Sequence, residues 1–154
     1  MADFFAGSGQ IGIECLSRGA NHVYFSDNSR EAVKCIERNV KHTGFEEKST
    51  IFSSDALRAA YMINEKHLDI VFMDPPYNTG LEKELLSVLV KQHYVNADTL
   101  FVIEADIKND FSFLENIGFL IEKEKCYKTN KHVFARIKGD IAGNQPYIRG
   151  HSIQ

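Results

Sequence analysis

Asp74-Pro75-Pro76-Tyr77 is the segment of this 154-residue chain with the most specific chemistry. Two consecutive prolines fix φ and remove two N–H donors. What remains is a rigid ridge of acceptors, the Asp74 carboxylate and the Pro75 carbonyl, with an aromatic ring beside it. Such a group suits an exocyclic amine on a nucleobase, whose lone pair is delocalised into the ring and therefore poorly nucleophilic. Two acceptors that hold the amine hydrogens favour the pyramidal geometry that exposes the lone pair. They also stabilise positive charge that develops on the nitrogen. Asp74, or water beyond it, can then take the proton, and Tyr77 can stack on a base taken out of its helix. The plain alternative is a strand-ending proline turn with Tyr77 in the core.

A second motif lies upstream. Gly7-Ser8-Gly9-Gln10-Ile11-Gly12 fits G-x-G-x-x-G between a strand and a helix. Glycine is needed there because side chains would block a ligand lying on the backbone and because the turn requires positive φ. Asp27 ends the next strand, 20 residues after Gly7, where an acid can accept hydrogen bonds from both ribose hydroxyls. Asp3 ends the first strand just before the loop. A carboxylate there would repel the pyrophosphate of a dinucleotide but suits S-adenosylmethionine, which carries a sulfonium and an ammonium group and no phosphate. A structural role for Asp3, capping the loop, is the alternative. Ser54-Asp55-Ala56 opens another helix, and Asp55 can accept from an adenine amino group, cap the helix, or both.

Other residues carry less. Lys123, Lys125, Lys128, Lys131, Arg136 and Lys138 cluster around Tyr127 and could touch phosphates, but Glu122 and Glu124 interrupt them, which favours a solvated strand pair. Glu104 follows a strand and either faces the cleft or is solvated. The six histidines contain no i,i+4 pair or HxH, and the three cysteines, Cys15, Cys35 and Cys126, form no CxxC, so no metal site is expected. No cysteine neighbours the Pro-Pro motif, which argues against a thiolate adduct. A formal charge of −3 is too mild to imply a partner and excludes a strongly basic nucleic-acid module without excluding a local basic patch. No apolar run reaches the ~18–20 residues of a membrane span, and no signal peptide is visible, so a cytoplasmic location is expected.

The elements that must position these groups alternate. Short apolar runs at Ala2–Phe5, His22–Ser26, Thr50–Ser53, Leu68–Met73 and Thr99–Glu104 read as strands. Between them lie helical stretches: 12–18; one capped by Asn28 or Ser29 with Ala32, Val33, Ile36 and Val40 on its apolar face and stopped by Gly44; 56–64 with Leu57, Ala60 and Tyr61 on one side; and 81–90 with Leu85, Leu86 and Leu89 inward. A short helix at 110–116 precedes a strand pair at 119–125 and 132–137, expected to be antiparallel. Strand alternating with helix implies an α/β fold, a parallel sheet with helices on both faces. The first strand starts at the chain terminus, which suggests that the natural domain begins earlier. The polar stretch 139–154 reads as a flexible tail after a single domain, 1–138.

Asp3-Phe4-Phe5-Ala6-Gly7-Ser8-Gly9, through Ile11-Gly12-Ile13-Glu14 to Leu16-Ser17-Arg18-Gly19-Ala20, resembles the bacterial methyltransferases that modify a guanine exocyclic amine (guanine-N2) in small-subunit ribosomal RNA. Asp74-Pro75-Pro76-Tyr77 is similar to their target-base motif, which other amino methyltransferases, including DNA adenine enzymes, share. The resemblance implies a class I methyltransferase fold, a Rossmann-like three-layer sandwich whose seven-stranded, mostly parallel sheet has its last strand antiparallel. It implies S-adenosylmethionine as cofactor and ribosomal RNA as partner. The cofactor residues it points to are Asp3, Phe5, Ala6, Gly7, Ser8, Gly9, Asp27, Asn28, Asp55 and Ala56; Asp74, Pro75, Pro76 and Tyr77 would hold the guanine and carry catalysis. Members of that family carry a further segment ahead of the glycine loop, with a basic hairpin and a helix, that this sequence lacks. The competing expectations are an amino methyltransferase with another target, such as DNA adenine or a protein side-chain amide, and a non-catalytic nucleotide-binding module.

Overall fold

A computed structural model describes residues 1–139. Its strands are β1 (Ala2–Phe4), β2 (Val23–Asp27), β3 (Ser49–Ser53), β4 (Ile70–Met73), β5 (Leu100–Asp106), β6 (Phe119–Cys126) and β7 (Asn130–Ile137). The helices are α1 (Gln10–Ser17), α2 (Arg30–Thr43), α3 (Ala56–Met62), α4 (Leu81–Leu89) and α5 (Phe113–Asn116). One seven-stranded sheet runs β3-β2-β1-β4-β5-β7-β6. β1 to β5 are parallel, and β7 lies antiparallel between β5 and β6. The α/β reading and the antiparallel strand pair both hold. The tail expected from 139 onward lies, after its first residue, outside the described residues.

The order follows from burial. β1 is only three residues long, but all three side chains are buried, and it pairs with β2 on one side and β4 on the other. Val71, Met73, Phe101, Ile103 and Leu85, Leu86 and Leu89 pack into the larger of two apolar clusters. The smaller cluster, Leu16, Val23, Phe25, Ile36 and Val40, sits between α1, α2 and the sheet. Local signals end the helices as expected. The Ser29 hydroxyl accepts the Ala32 N–H at 3.2 Å to cap α2, and Gly44, at φ 79°, stops it.

One expected core residue does not belong there. Tyr61 is 67% exposed, while Ala59 and Ala60 are fully buried. In so short a helix the packing stripe is set by where the sheet lies, and the small alanines let α3 approach it closely. The aromatic one step further round turns to solvent. β6 is likewise exposed along its whole length after Phe119, because it is the sheet edge and no other described element packs over it there.

Candidate active site

The strand order reverses between β1 and β4. At such a point the loops leaving neighbouring strands diverge and open a crevice at the carboxyl ends, where open α/β sheets bind ligands. The register shows what the sheet delivers to that crevice. Phe4 is level with Ser26 on β2 and with Met73 on β4, so the next residues, Phe5, Asp27 and Asp74, stand side by side. Met73 is level with Ile103, which puts Glu104 beside Asp74. Glu104 in turn pairs with His132 on β7. One transverse row therefore reads Asp27, Phe5, Asp74, Glu104, His132.

Two adjoining cavities lie over this row and share Phe5, Asp27 and Asn28. The first, about 180 Å³, has an apolar interior of Ala56, Leu57, Leu81 and Leu85 and a polar rim of Asp27, Ser54 and Asp55. The second, about 450 Å³ and more open, is lined by Asp74, Pro75, Pro76, Tyr77 and Glu104. Tyr77 is 50% exposed and Asp74 also reaches solvent, so the proline turn does not bury its ring in the core. A larger cavity, about 540 Å³, lies at the opposite end of the sheet by Met1, His22 and Asp69, away from both motifs.

The glycine loop is held from both sides. Gly7 and Gly9 take positive φ, 59° and 80°. Asp27 anchors the loop: Oδ2 accepts the Gly7 N–H at 2.9 Å, and Oδ1 accepts the Ser29 N–H at 3.0 Å. Each oxygen keeps a second lone pair for a ligand. Asp3 lies beneath the loop, 1% exposed, with Oδ2 accepting the Gly12 N–H at 3.1 Å. It thus caps the first turn of α1 from another strand, since Gly9 at the N-cap has no side chain to do so. Burial pushes its pKa up to about 7; the Gly12 bond opposes this, and Asp74 and Asp27 add to it. Phe5, with φ 59°, is a bulky residue in the left-handed region, and the strained backbone sits where the two cavities meet.

The other expected site residues divide. Asp55 lines the smaller cavity and also caps α3, with Oδ1 accepting the Arg58 N–H at 2.9 Å. Ala6 donates its N–H to the Ser26 carbonyl at 3.0 Å and shapes the turn. Ser8 points elsewhere: its carbonyl accepts from Asn39 Nδ2 at 2.9 Å, and it lines a groove between α1 and α2. Asp74 sits above the ordinary carboxylate value, raised first by partial desolvation and then by Glu104, with His132 opposing. Sequence reasoning missed Ser26, which lines the smaller cavity and whose buried hydroxyl has no partner among the described residues. It also missed Leu57, Leu81 and Leu85 as cavity walls, since their spacing signals only an inward helix face.

The lining discriminates between ligands. Among the described residues, no Lys, Arg or His lines either cavity, while Asp27, Asp55, Asp74 and Glu104 do. That set disfavours a pyrophosphate and fits a flat apolar ring, a ribose and a positive centre, as S-adenosylmethionine carries. Among the described residues there is no group of three or more His, Cys, Asp or Glu placed to hold a metal, and no helix is long and apolar enough to cross a membrane. The basic residues near the end are largely engaged: Lys131 pairs with Glu124 at 2.9 Å and is buried, and Arg136 pairs with Glu122 at 3.0 Å.

Known proteins resemble this chain in sequence and in fold. The chain is 31% identical over 125 residues to YlbH of Bacillus subtilis, named as a candidate rRNA methyltransferase, covering 80% of this chain and 67% of that protein. It is 29% identical over 123 residues to ribosomal RNA small subunit methyltransferase D of Haemophilus influenzae, covering 79% and 64%. The chain thus spans about two thirds of the length of these relatives. A solved structure of a candidate methylase from Haemophilus influenzae superposes with a TM-score of 0.77 at 24% identity, covering 89% of this chain and 85% of that one, and shows the class I methyltransferase fold. Residues 1–136 match the family described as Conserved hypothetical protein 95. By motif, strand order and relatives alike, the chain belongs to that family and is a homologue of small-subunit ribosomal RNA methyltransferases.

Proposed function

We propose that this chain is an S-adenosylmethionine-dependent methyltransferase that transfers a methyl group to the exocyclic amine of a guanine in small-subunit ribosomal RNA. The observation that carries the reading is the transverse row. It sets the acidic, phosphate-averse cavity at Asp27 directly beside the Asp-Pro-Pro-Tyr acceptors, with only Phe5 between them. The named relatives, which include ribosomal RNA small subunit methyltransferase D, favour RNA as the class of substrate. On this reading residues 1–138 form the catalytic domain and act in the cytoplasm.

When bound, S-adenosylmethionine supplies an electrophilic methyl group on a sulfonium. Asp27 accepts from the ribose, Asp55 from the adenine amine, and Leu57, Leu81 and Leu85 enclose the ring. The Gly7–Gly9 turn lets the backbone approach the methionine end, and Asp3 beneath it favours the positive charge there. Asn28 and Ala56 line this wall, Ala6 shapes the turn through its bond to Ser26, and Ser8 supports the loop from the far side through Asn39. Asp74 and the Pro75 carbonyl hold the amine hydrogens, Pro76 keeps the ridge rigid, and Tyr77 stacks on the base. Asp74, or water beyond it, would take the proton that the amine gives up on methylation. No covalent bond to the enzyme is needed; positioning and electrostatics supply the acceleration.

The test is methyl transfer from labelled S-adenosylmethionine to protein-free small-subunit rRNA and, separately, to partly assembled small-subunit particles, with mass analysis of the nucleosides. N2-methylguanosine is expected, lost in Asp74→Ala while cofactor binding persists. Label appearing only in N6-methyladenosine, or binding of NAD and not of S-adenosylmethionine, would overturn the reading.

A further inference from the structure

We propose that Glu104 reads the guanine N1–H, so that Asp74 and Glu104 together recognise two adjacent donors on the Watson–Crick edge of the target base. The inference rests on the function proposed above and names the residue that makes it specific for guanine. Asp74 and Glu104 follow the level pair Met73 and Ile103 on neighbouring parallel strands, about 4.8 Å apart, and both line the open cavity. Guanine presents N1–H next to its amine. With the amine held by Asp74 and the Pro75 carbonyl, one of its two ring neighbours, N1–H or N3, faces Glu104 on the neighbouring strand; a carboxylate attracts the N1–H donor and repels the N3 acceptor, which selects the first pose.

Glu104 is built for that one contact. His132 Nε2 lies 3.1 Å from Glu104 Oε1, and the two residues are level on β5 and β7. The ring of Tyr127 packs edge-on against His132, with centroids 5.1 Å apart. One carboxylate oxygen is thus taken and the side chain oriented, leaving Oε2 for a ligand. A carboxylate only accepts. Toward guanine N1–H it makes a charge-assisted bond. Toward a base whose N1 is an unprotonated acceptor, such as adenine or 2-aminopurine, it sets lone pair against lone pair. Selection then comes from a repulsive element as well as an attractive one. Asp74 registers the same proximity, since Glu104 contributes to raising its pKa.

The experiment uses a synthetic fragment of small-subunit rRNA carrying guanine, or 2-aminopurine, at the methylated nucleotide, located first by mass mapping of nuclease fragments of the labelled RNA. 2-Aminopurine keeps the amine and replaces N1–H by an acceptor. Wild type and Glu104→Gln are compared in kcat/KM on both, with S-adenosylmethionine affinity as the check that the variant is folded. Gln can turn its amide N–H toward the acceptor. The expected result is a fall of about ten-fold or more on guanine, a gain on 2-aminopurine, and unchanged cofactor affinity. A guanine-to-2-aminopurine ratio that Glu104→Gln leaves unchanged, in an enzyme that methylates guanine, overturns the assignment of Glu104 and leaves the function standing. A wild type that methylates no guanine overturns both.

Discussion

Asp3 Oδ2 accepts the Gly12 N–H at 3.1 Å, and this bond ties the end of β1 to the first turn of α1 beneath the glycine loop. The carboxylate serves two ends that conflict. As an acceptor it satisfies a helix N–H that the glycine N-cap leaves open. As a buried anion among other acids it is poorly solvated, which is why its pKa rises to about 7.

That shift makes stability depend on pH in a stated direction. Between the ordinary value of 3.8 and about 7, the folded chain holds a proton on Asp3 that the unfolded chain has released. Asp3 therefore contributes its full stability below about pH 4, and the contribution is lost as pH rises through about 7, by at most a few kcal/mol. Asp3→Asn keeps an acceptor for Gly12 and removes the titration. Urea midpoints of the two proteins at pH 5 and pH 8 check this: the variant should gain relative to wild type at the higher pH. Parallel pH profiles would show that Asp3 does not titrate there.

Cofactor binding should release protons. A positive centre placed above Asp3 favours its ionised form and lowers the pKa. At pH 6.5, where unliganded Asp3 is mostly protonated, binding of S-adenosylmethionine then expels a fraction of a proton. Calorimetry in buffers of different ionisation enthalpy reads that number, and Asp3→Asn should abolish it. A binding heat independent of buffer in the wild type would place the positive centre away from Asp3.

Gly12 and Gly7 are needed for different reasons, and alanine scanning should separate them. A Cβ on Gly12 would lie 2.3 Å from Phe25 Cε1 and 2.9 Å from Val23 Cγ1, in the smaller apolar cluster. Both neighbours are fixed in a strand, so Gly12→Ala should lose about 1–3 kcal/mol by overpacking, despite the better helix propensity of alanine. Gly7 has open space around it and only its φ of 59° to object, so Gly7→Ala should lose about 1 kcal/mol. Denaturant titrations decide; equal losses would mean that α1 shifts freely on the sheet.

These contrasts show what the sequence carries and what it does not. The apolar run ending in Met73, the glycine turn and Asp27 at the end of β2 are local patterns, and each lies where its pattern placed it. The neighbour relations are not local. Nothing in the spacing of Asp74 and Glu104 says that they stand side by side; only the strand order and register do. Asp3 read as a ligand contact, with a loop cap as the alternative; the structure shows the cap, and one buried carboxylate can serve both. Tyr61 fitted a helical stripe on hydrophobicity alone, and the position of the sheet overrode it.

Asp27 combines loop anchor and proposed ribose acceptor, and paired substitutions can part the two roles. Its oxygens take the N–H groups of Gly7 and Ser29, so Asp27→Ala leaves two donors without partners and opens the loop. Both N–H groups are exposed and water can replace the acceptor, so the loss in stability should be about 1 kcal/mol. Ser29→Ala removes the α2 cap, which accepts the Ala32 N–H at 3.2 Å, and should lose about 1 kcal/mol without touching the cavity. S-adenosylmethionine affinity should therefore fall about ten-fold or more in Asp27→Ala and stay near wild type in Ser29→Ala, since only the first deletes an acceptor facing the ligand. Titration calorimetry below the unfolding range measures both. If the two variants lost affinity alike, binding would track the stability of the α2 start, and Asp27 would hold the loop without holding the ribose.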